Sequence, residues 1–114
     1  MNYDDYLPYI DVEDGMSRVL NIDLYLKLLG KFNPRQMANA VLAAIEAGDK
    51  AVVVQTVHAM RGIAGNLSLP ALQTVTEQIE ELAKKDMDYS HLADNFNSIV
   101  DESVLAIDKL IASV

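Results

Sequence analysis

The chain has 114 residues, 51% of them hydrophobic, and its 17 acidic and nine basic residues give a formal net charge of −8. This length and composition predict one domain, residues 1–114, with a core of its own, and the negative charge argues against nucleic-acid binding. The absence of cysteine excludes disulfides, thiolate metal sites and a cysteine nucleophile. The longest apolar runs, such as residues 41–45, are too short to span a membrane, and the first six residues are acidic where a secretion signal is basic. We therefore expect a cytoplasmic protein without membrane insertion.

Two short helices are predicted before residue 33. Asp11 is a suitable N-cap for the first of them. In the second, apolar residues recur at helical spacing at Ile22, Leu26 and Leu29, with Tyr25 beside them.

A third helix is predicted after Asn33, a good N-cap that is followed by Pro34 at the first helical position and by Gln36 where a capping box needs it. The inward stripe of this helix consists of Met37, Val41, Leu42 and Ile45. The pair Gly48-Asp49 then ends the third helix and caps the fourth.

The fourth predicted helix, from about residue 50 to 67, has a continuous apolar seam of Val53, Val57, Met60, Ala64 and Leu67. Pro70 opens a fifth helix, in which Leu72, Val75, Ile79 and Leu82 are predicted to point inward and Glu77, Glu80 and Glu81 outward. The last helix is predicted to begin at about Ser90 and to bury Leu92, Phe96, Ile99, Val100, Val104, Ile107 and Ile111.

The last four helices are long and joined by short connections, which predicts that neighbouring helices are antiparallel. The simplest architecture is an all-α, up-down-up-down antiparallel four-helix bundle, with the two short N-terminal helices packed at one end. Because the apolar stripes can be buried within one such bundle, we expect a monomer.

His58 is predicted to lie on the surface of the fourth helix, about 100° away from the apolar seam. It shares its face with Val54, Gln55, Arg61, Gly62 and, one turn further on, Gly65. An arbitrary surface histidine has no special role, but each of the two glycines costs about 0.5–1 kcal/mol inside a helix. We interpret them as clearance for another protein's active site. Close packing between helices is the alternative, above all for Gly65.

These residues suit a histidine that carries a phosphoryl group. Neutral imidazole is nucleophilic near neutral pH, and Arg61 supplies a permanent cation that can grip phosphoryl oxygens. Gln55 could orient the ring, or be an ordinary surface residue. Residues 26–76, which include His58, contain five bases and two acids (+3), whereas residues 1–25 and 77–114 carry −5 and −6. A weakly positive site suits an anionic partner, although ordinary surface charge explains the pattern equally well.

The segment His58-Ala59-Met60-Arg61-Gly62-Ile63-Ala64-Gly65-Asn66-Leu67 closely resembles the motif of histidine phosphotransfer (HPt) domains, a histidine followed by Leu-Lys-Gly and then small residues. The pair Gly48-Asp49 stands where the family has a short turn before the phosphohistidine helix, and residues 15–19 and 25–32 look like the family's N-terminal pair of helices. The resemblance covers roughly residues 10–112. Three positions depart from it: Arg61 replaces lysine, Met60 replaces leucine, and Ser68 stands where glycine is frequent. Ser68 could instead cap the helix that Pro70 opens.

The resemblance implies a phosphorelay intermediate in two-component signalling. His58 would accept a phosphoryl group from an aspartyl phosphate on one receiver domain and pass it to another, with Arg61 stabilising the group and Gly62 and Gly65 giving clearance. The implied partners are response-regulator receiver domains, with a hybrid sensor kinase as a further candidate. The family lacks a nucleotide site and kinase activity of its own, and this chain has no P-loop. No cofactor is expected on this chain, and Mg²⁺ is expected on the receiver.

Family members present an apolar patch beside the histidine. Val54 is the best candidate on the same helix, and Ile22 and Leu26 could extend the patch, although both would serve equally well as core. The alternative function is a non-catalytic helical module that binds receiver domains without accepting phosphate. The presence of His58 favours the carrier.

The second histidine, His91, follows Asp88 at the spacing of a carboxylate–x–x–histidine metal element. Metal sites in helical bundles need several inward carboxylates and a second such element. The acids of this chain fall mainly on polar faces, so we expect His91 to be a solvated surface residue and no metal centre to be present.

Overall fold

The computed structural model describes residues 3–114, so the first two residues of the predicted domain lie outside the described part. Within it the chain forms six α-helices, α1 (Val12–Val19), α2 (Ile22–Lys31), α3 (Pro34–Ala47), α4 (Lys50–Asn66), α5 (Pro70–Lys84) and α6 (Ala93–Ala112). Short 3-10 helices precede α1 (Tyr3–Tyr6) and α6 (Ser90–Leu92). None of the helices in residues 3–114 is both long enough and apolar enough to cross a membrane.

The helix boundaries follow from the capping residues, as the sequence predicts. The side chains of Asp11, Asn33 and Asp49 each accept a hydrogen bond from the backbone N–H three residues later, at 3.1, 3.1 and 3.3 Å. Each bond satisfies one of the N–H groups that a helix leaves unpaired at its start. Gly48 ends α3 in the left-handed region at φ +69°, a conformation that glycine adopts at little cost.

The core lies between α3, α4, α5 and α6. Each of these helices packs against the next one in the chain, and α6 also packs against α3, which closes a ring of contacts. The predicted seam of α4 is entirely buried, at Val53, Val57, Met60, Ala64 and Leu67. Among the predicted core residues Ile111 is exposed, at 38%, because it lies in the last turn of α6, beside Gly30 at the edge of the core. Seven others are only partly buried: Met37, Leu42, Ile45, Leu82, Leu92, Ile99 and Val104.

The N-terminal helices fix the C-terminal end of α4. Tyr25 on α2 is fully buried, and its hydroxyl donates a 2.6 Å hydrogen bond to the backbone carbonyl of Leu67. The ring lies directly against Gly15 on α1, where a Cβ atom would be only 2.2 Å from the ring carbon Cζ. The pair α1–α2 therefore holds the end of the helix that carries His58.

The prediction that Ser68 caps α5 is wrong, because this residue completes the end of α4 instead. Leu69 N–H donates to the Ala64 carbonyl (2.8 Å) and Ser68 N–H to the Gly65 carbonyl (3.3 Å), the two bonds of a Schellman motif. Ser68 therefore has a left-handed φ of +59°, the conformation that glycine favours there. Its hydroxyl donates to Asp14 of α1 at 2.6 Å, so the side chain is directed away from α5.

Candidate functional site

His58 lies in the middle of α4, with its side chain 62% exposed. Its Nδ1 atom is 2.7 Å from Oε2 of Glu80, on the neighbouring helix α5. The other ring nitrogen, Nε2, makes no hydrogen bond within residues 3–114. One ring nitrogen is therefore anchored to the protein, and the other has no partner among the described residues.

Glu80 is the main correction to the sequence analysis. It was predicted to point outward, but its side chain is only 2% exposed. The physical reason is the packing of α4 on α5, which covers the position beside the buried Ile79 and brings two polar side chains of α4 onto the carboxylate. Oε2 contacts His58 at 2.7 Å and Lys84 at 3.1 Å, while Arg61 Nη1 is 2.9 Å from Oε1 as an ion pair without hydrogen-bond geometry.

These contacts keep Glu80 ionised. Burial raises the pKa of its carboxyl, but the hydrogen bonds from Lys84 and His58 and the charge of Arg61 outweigh burial and hold that pKa below its ordinary value. An ionised carboxylate can only accept hydrogen bonds, so the proton between the two side chains belongs to Nδ1 of His58. In the neutral ring, the lone pair then lies on Nε2, which makes Nε2 the nucleophilic nitrogen.

The two glycines beside His58 differ in their surroundings. A Cβ atom added at Gly62 would meet nothing within 4 Å, so no contact inside the protein requires a glycine there. At Gly65 a Cβ atom would lie 3.1 Å from the side-chain nitrogen of Gln73 on α5. The packing explanation that the sequence left open therefore has a basis at Gly65, whereas Gly62 opens onto free space.

No hydrogen bond or ion pair joins any other predicted site residue to the imidazole within residues 3–114. Gln55 is exposed and makes no hydrogen bond to the ring, within the part of the chain that the structure describes, and its proposed orienting role stays a prediction. Val54 is half-buried one turn before His58. Ile22 and Leu26 are half-buried and pack against the core from α2, so their place in a docking surface also remains untested.

An apolar groove that the sequence analysis did not find lies between α2, α3 and the end of α4. It has a volume of about 530 Å³, and its apolar lining consists of Leu28, Phe32, Met37, Ile63 and Leu67. The only sign of this groove in the sequence is the pair of consecutive leucines, of which Leu28 lies outside the predicted apolar stripe. In the structure Leu28 is 38% exposed, whereas Leu29 is buried. Periodicity predicts which face of a helix is buried, but it does not predict where a bundle leaves a gap.

His91 lies apart from this site. It is exposed, in the 3-10 helix before α6, and it lines a shallow groove with Met87 and Leu92. Across residues 3–114, no three side chains of the His, Asp and Glu types come together as a group that could hold a metal ion.

Comparison with known proteins identifies the family. The family model of the Hpt domain matches residues 26–113. The chain belongs to the Hpt domain family. Hpt domains are phosphotransfer modules of two-component systems that interact with receiver domains and sensor kinases, and they are carriers rather than enzymes in themselves.

A solved structure is similar over almost the whole fold. The crystal structure of the HPT domain from the Hpt sensor hybrid histidine kinase from Shewanella matches with a TM-score of 0.78 and 16% sequence identity, covering 92% of this chain and 95% of that one. At this identity the likeness concerns the fold alone. No curated protein sequence matches the chain significantly.

Proposed function

We propose that this Hpt domain carries a phosphoryl group on His58, which accepts it from an aspartyl phosphate on one receiver domain and passes it to another. The observation that carries the proposal is the anchored, exposed imidazole: Nδ1 is held by Glu80, and Nε2 is left to react. Phosphoryl transfer depends on positioning and charge more than on covalent machinery, so a fixed nucleophile beside cations is sufficient equipment for a carrier.

The residues around His58 have proposed roles in that transfer. Nε2 attacks the phosphorus atom, and the aspartyl oxygen leaves on the opposite side. Arg61 lies one turn after His58, is 37% exposed and pairs with the same carboxylate, so we assign its guanidinium to the phosphoryl oxygens. We assign the Mg²⁺ ion to the receiver. We assign Val54, Ile22 and Leu26, together with the apolar groove between α2, α3 and the end of α4, to the surface of this chain on which the receiver docks.

The arrangement of the helices, the oligomeric state and the cellular location are part of the same proposal. An antiparallel up-down-up-down arrangement of α3 to α6 is supported by their closed ring of contacts and by the short connections between them. A single domain over residues 1–114, monomeric and cytoplasmic, fits a carrier that meets several receivers in turn.

Substitution of Gly62 by leucine is expected to slow transfer from a phosphorylated receiver by about tenfold to a hundredfold, because displacement of reacting groups by about 1 Å has effects of this size. The domain should stay folded, since the position opens onto free space. The rate of label transfer, measured at several receiver concentrations, checks this prediction. Gly62→Ala is the matched control, which adds only a methyl group and is expected to retain transfer. An unchanged rate in Gly62→Leu would contradict the clearance role.

The proposed function is tested by incubating the protein with a panel of receiver domains that carry a labelled aspartyl phosphate. Label is expected to move to this protein and to be labile in acid and stable in base, as a phosphohistidine is. Binding of receivers without label transfer, from a panel that phosphorylates another Hpt domain in parallel, would instead support a binding-only module. Acid-stable label would also contradict the proposal.

A further inference from the structure

We propose that Glu80 keeps Nδ1 of His58 protonated throughout the transfer, so that the phosphorylated ring remains a cation ready to give up its phosphoryl group. The inference rests on the proposed phosphorylation of His58. It comes from a buried carboxylate, 2% exposed, whose Oε2 atom lies 2.7 Å from Nδ1. Glu80 is a positioning residue in this scheme, since it acts through the imidazole and does not contact the phosphoryl group.

The hydrogen-bond partner of Nδ1 is a carboxylate, and this determines which form of the phosphorylated ring is stabilised. A ring phosphorylated on Nε2 has two forms, a cation with a proton on Nδ1 and a neutral form with a lone pair there. An ionised carboxylate accepts hydrogen bonds but cannot donate them, so Glu80 stabilises the cation and has no bond to offer the neutral form. A side-chain amide at the same place could bond both forms, because it can rotate to present either its oxygen or its NH2 group to Nδ1. Burial strengthens the preference, because charge interactions are less screened away from water.

The transfer balances without any further reactant. The Nε2 lone pair forms the P–N bond while the bond from phosphorus to the aspartyl oxygen breaks and its electrons leave with the carboxylate. The Nδ1 proton stays in place, and the positive charge of the ring lies opposite Glu80. In the second transfer the P–N bond breaks, its electron pair returns to Nε2, and neutral imidazole departs with its proton already present. A ring that had lost this proton would have to regain it from water first.

The surrounding charges support this arrangement. Within residues 3–114 the titratable and charged groups that face Glu80 are His58 and Arg61 from α4 and Lys84 from α5. The two permanent cations keep the carboxylate ionised in the resting protein. They also repel a cationic ring, so the carboxylate between them and His58 is what allows the charge to form. When Arg61 turns to the phosphoryl oxygens, Lys84 remains on Oε2.

The variant Glu80→Gln tests the inference, because it keeps the shape of the side chain and its ability to accept a hydrogen bond, and removes its charge. The experiment follows two rates from weakly acidic to weakly alkaline pH: transfer from the phosphorylated protein to an unlabelled receiver, and spontaneous hydrolysis of its phosphohistidine. In both proteins the rate of transfer should fall as the pH rises. In Glu80→Gln this fall should begin about one pH unit lower than in the wild type, so that transfer is about tenfold slower at the same alkaline pH. Hydrolysis should slow as well, which a loosened fold would not produce.

A measurement on the wild type keeps the test independent of how well the variant folds. Nitrogen NMR of the unphosphorylated and the phosphorylated protein should show a proton on Nδ1 of His58 in both, across the same pH range. A resting ring protonated on Nε2 alone, or pH profiles that coincide for wild type and Glu80→Gln, would overturn the inference. Failure of the wild type to accept label is a separate result, which would contradict the proposed function itself.

Discussion

Replacement of His58 by glutamine is expected to abolish phosphorylation by a phosphorylated receiver and to leave the domain folded. Glutamine has no nucleophilic ring nitrogen, while its amide can still donate a hydrogen bond to Glu80, which Arg61 and Lys84 continue to neutralise. The native side chain is 62% exposed and lies outside the core, so the free energy of unfolding should change by less than about 1 kcal/mol. Label transfer and urea unfolding, measured on the same sample, check both parts.

His91→Gln is the matched control for this experiment. It makes the same chemical change at an exposed histidine in the 3-10 helix that precedes α6. Its label transfer should equal that of the wild type. If His58→Gln retained the label, the phosphoacceptor would lie elsewhere. Loss of label in both variants would point to an effect of histidine substitution that is not specific to the site.

The sequence predicted those parts of the fold that depend on neighbours along the chain. The caps at Asp11, Asn33 and Asp49 are local, because each carboxylate or amide bonds a backbone N–H three residues away. The seam of α4 is local in the same sense, since its spacing requires one continuous buried face. The exposure of His58 followed from that seam, so the central residue of the candidate site was found without tertiary information.

The sequence could not predict the features that depend on a second element. Glu80 was placed among the outward acids of α5 because an isolated glutamate beside an apolar stripe is ordinarily solvated. Its burial depends on Arg61 and His58, which α4 supplies from more than fifteen residues away along the chain. Ser68 was misassigned for the same reason, since its hydroxyl bonds Asp14 of α1. Each error concerns a polar side chain that is bonded to a residue of another helix.

Substitution of Gly15 by alanine is expected to destabilise the domain by about 2–5 kcal/mol. The new Cβ atom would lie 2.2 Å from Cζ and 2.4 Å from the hydroxyl oxygen of Tyr25, whose ring is fully buried and cannot turn away into solvent. Displacing the ring also breaks the 2.6 Å bond from Tyr25 to the Leu67 carbonyl and leaves that carbonyl unpaired. A lower urea midpoint, with an unchanged slope, is the expected measurement.

Gly62→Ala is the matched control, because it makes the same substitution inside a helix with the opposite expected sign. Alanine is the better helix former by about 1 kcal/mol, and the added Cβ atom at Gly62 meets nothing within 4 Å, so this variant should be more stable than the wild type. Helix propensity acts in the same direction at Gly15, so a loss of stability there can only come from the contact with Tyr25. A Gly15→Ala variant as stable as Gly62→Ala would show that α1 and α2 can separate at no cost, and that the end of α4 does not depend on them. A lower stability of Gly15→Ala and a higher stability of Gly62→Ala would show that the fold requires the glycine at position 15 and does not require the one at position 62, beside His58.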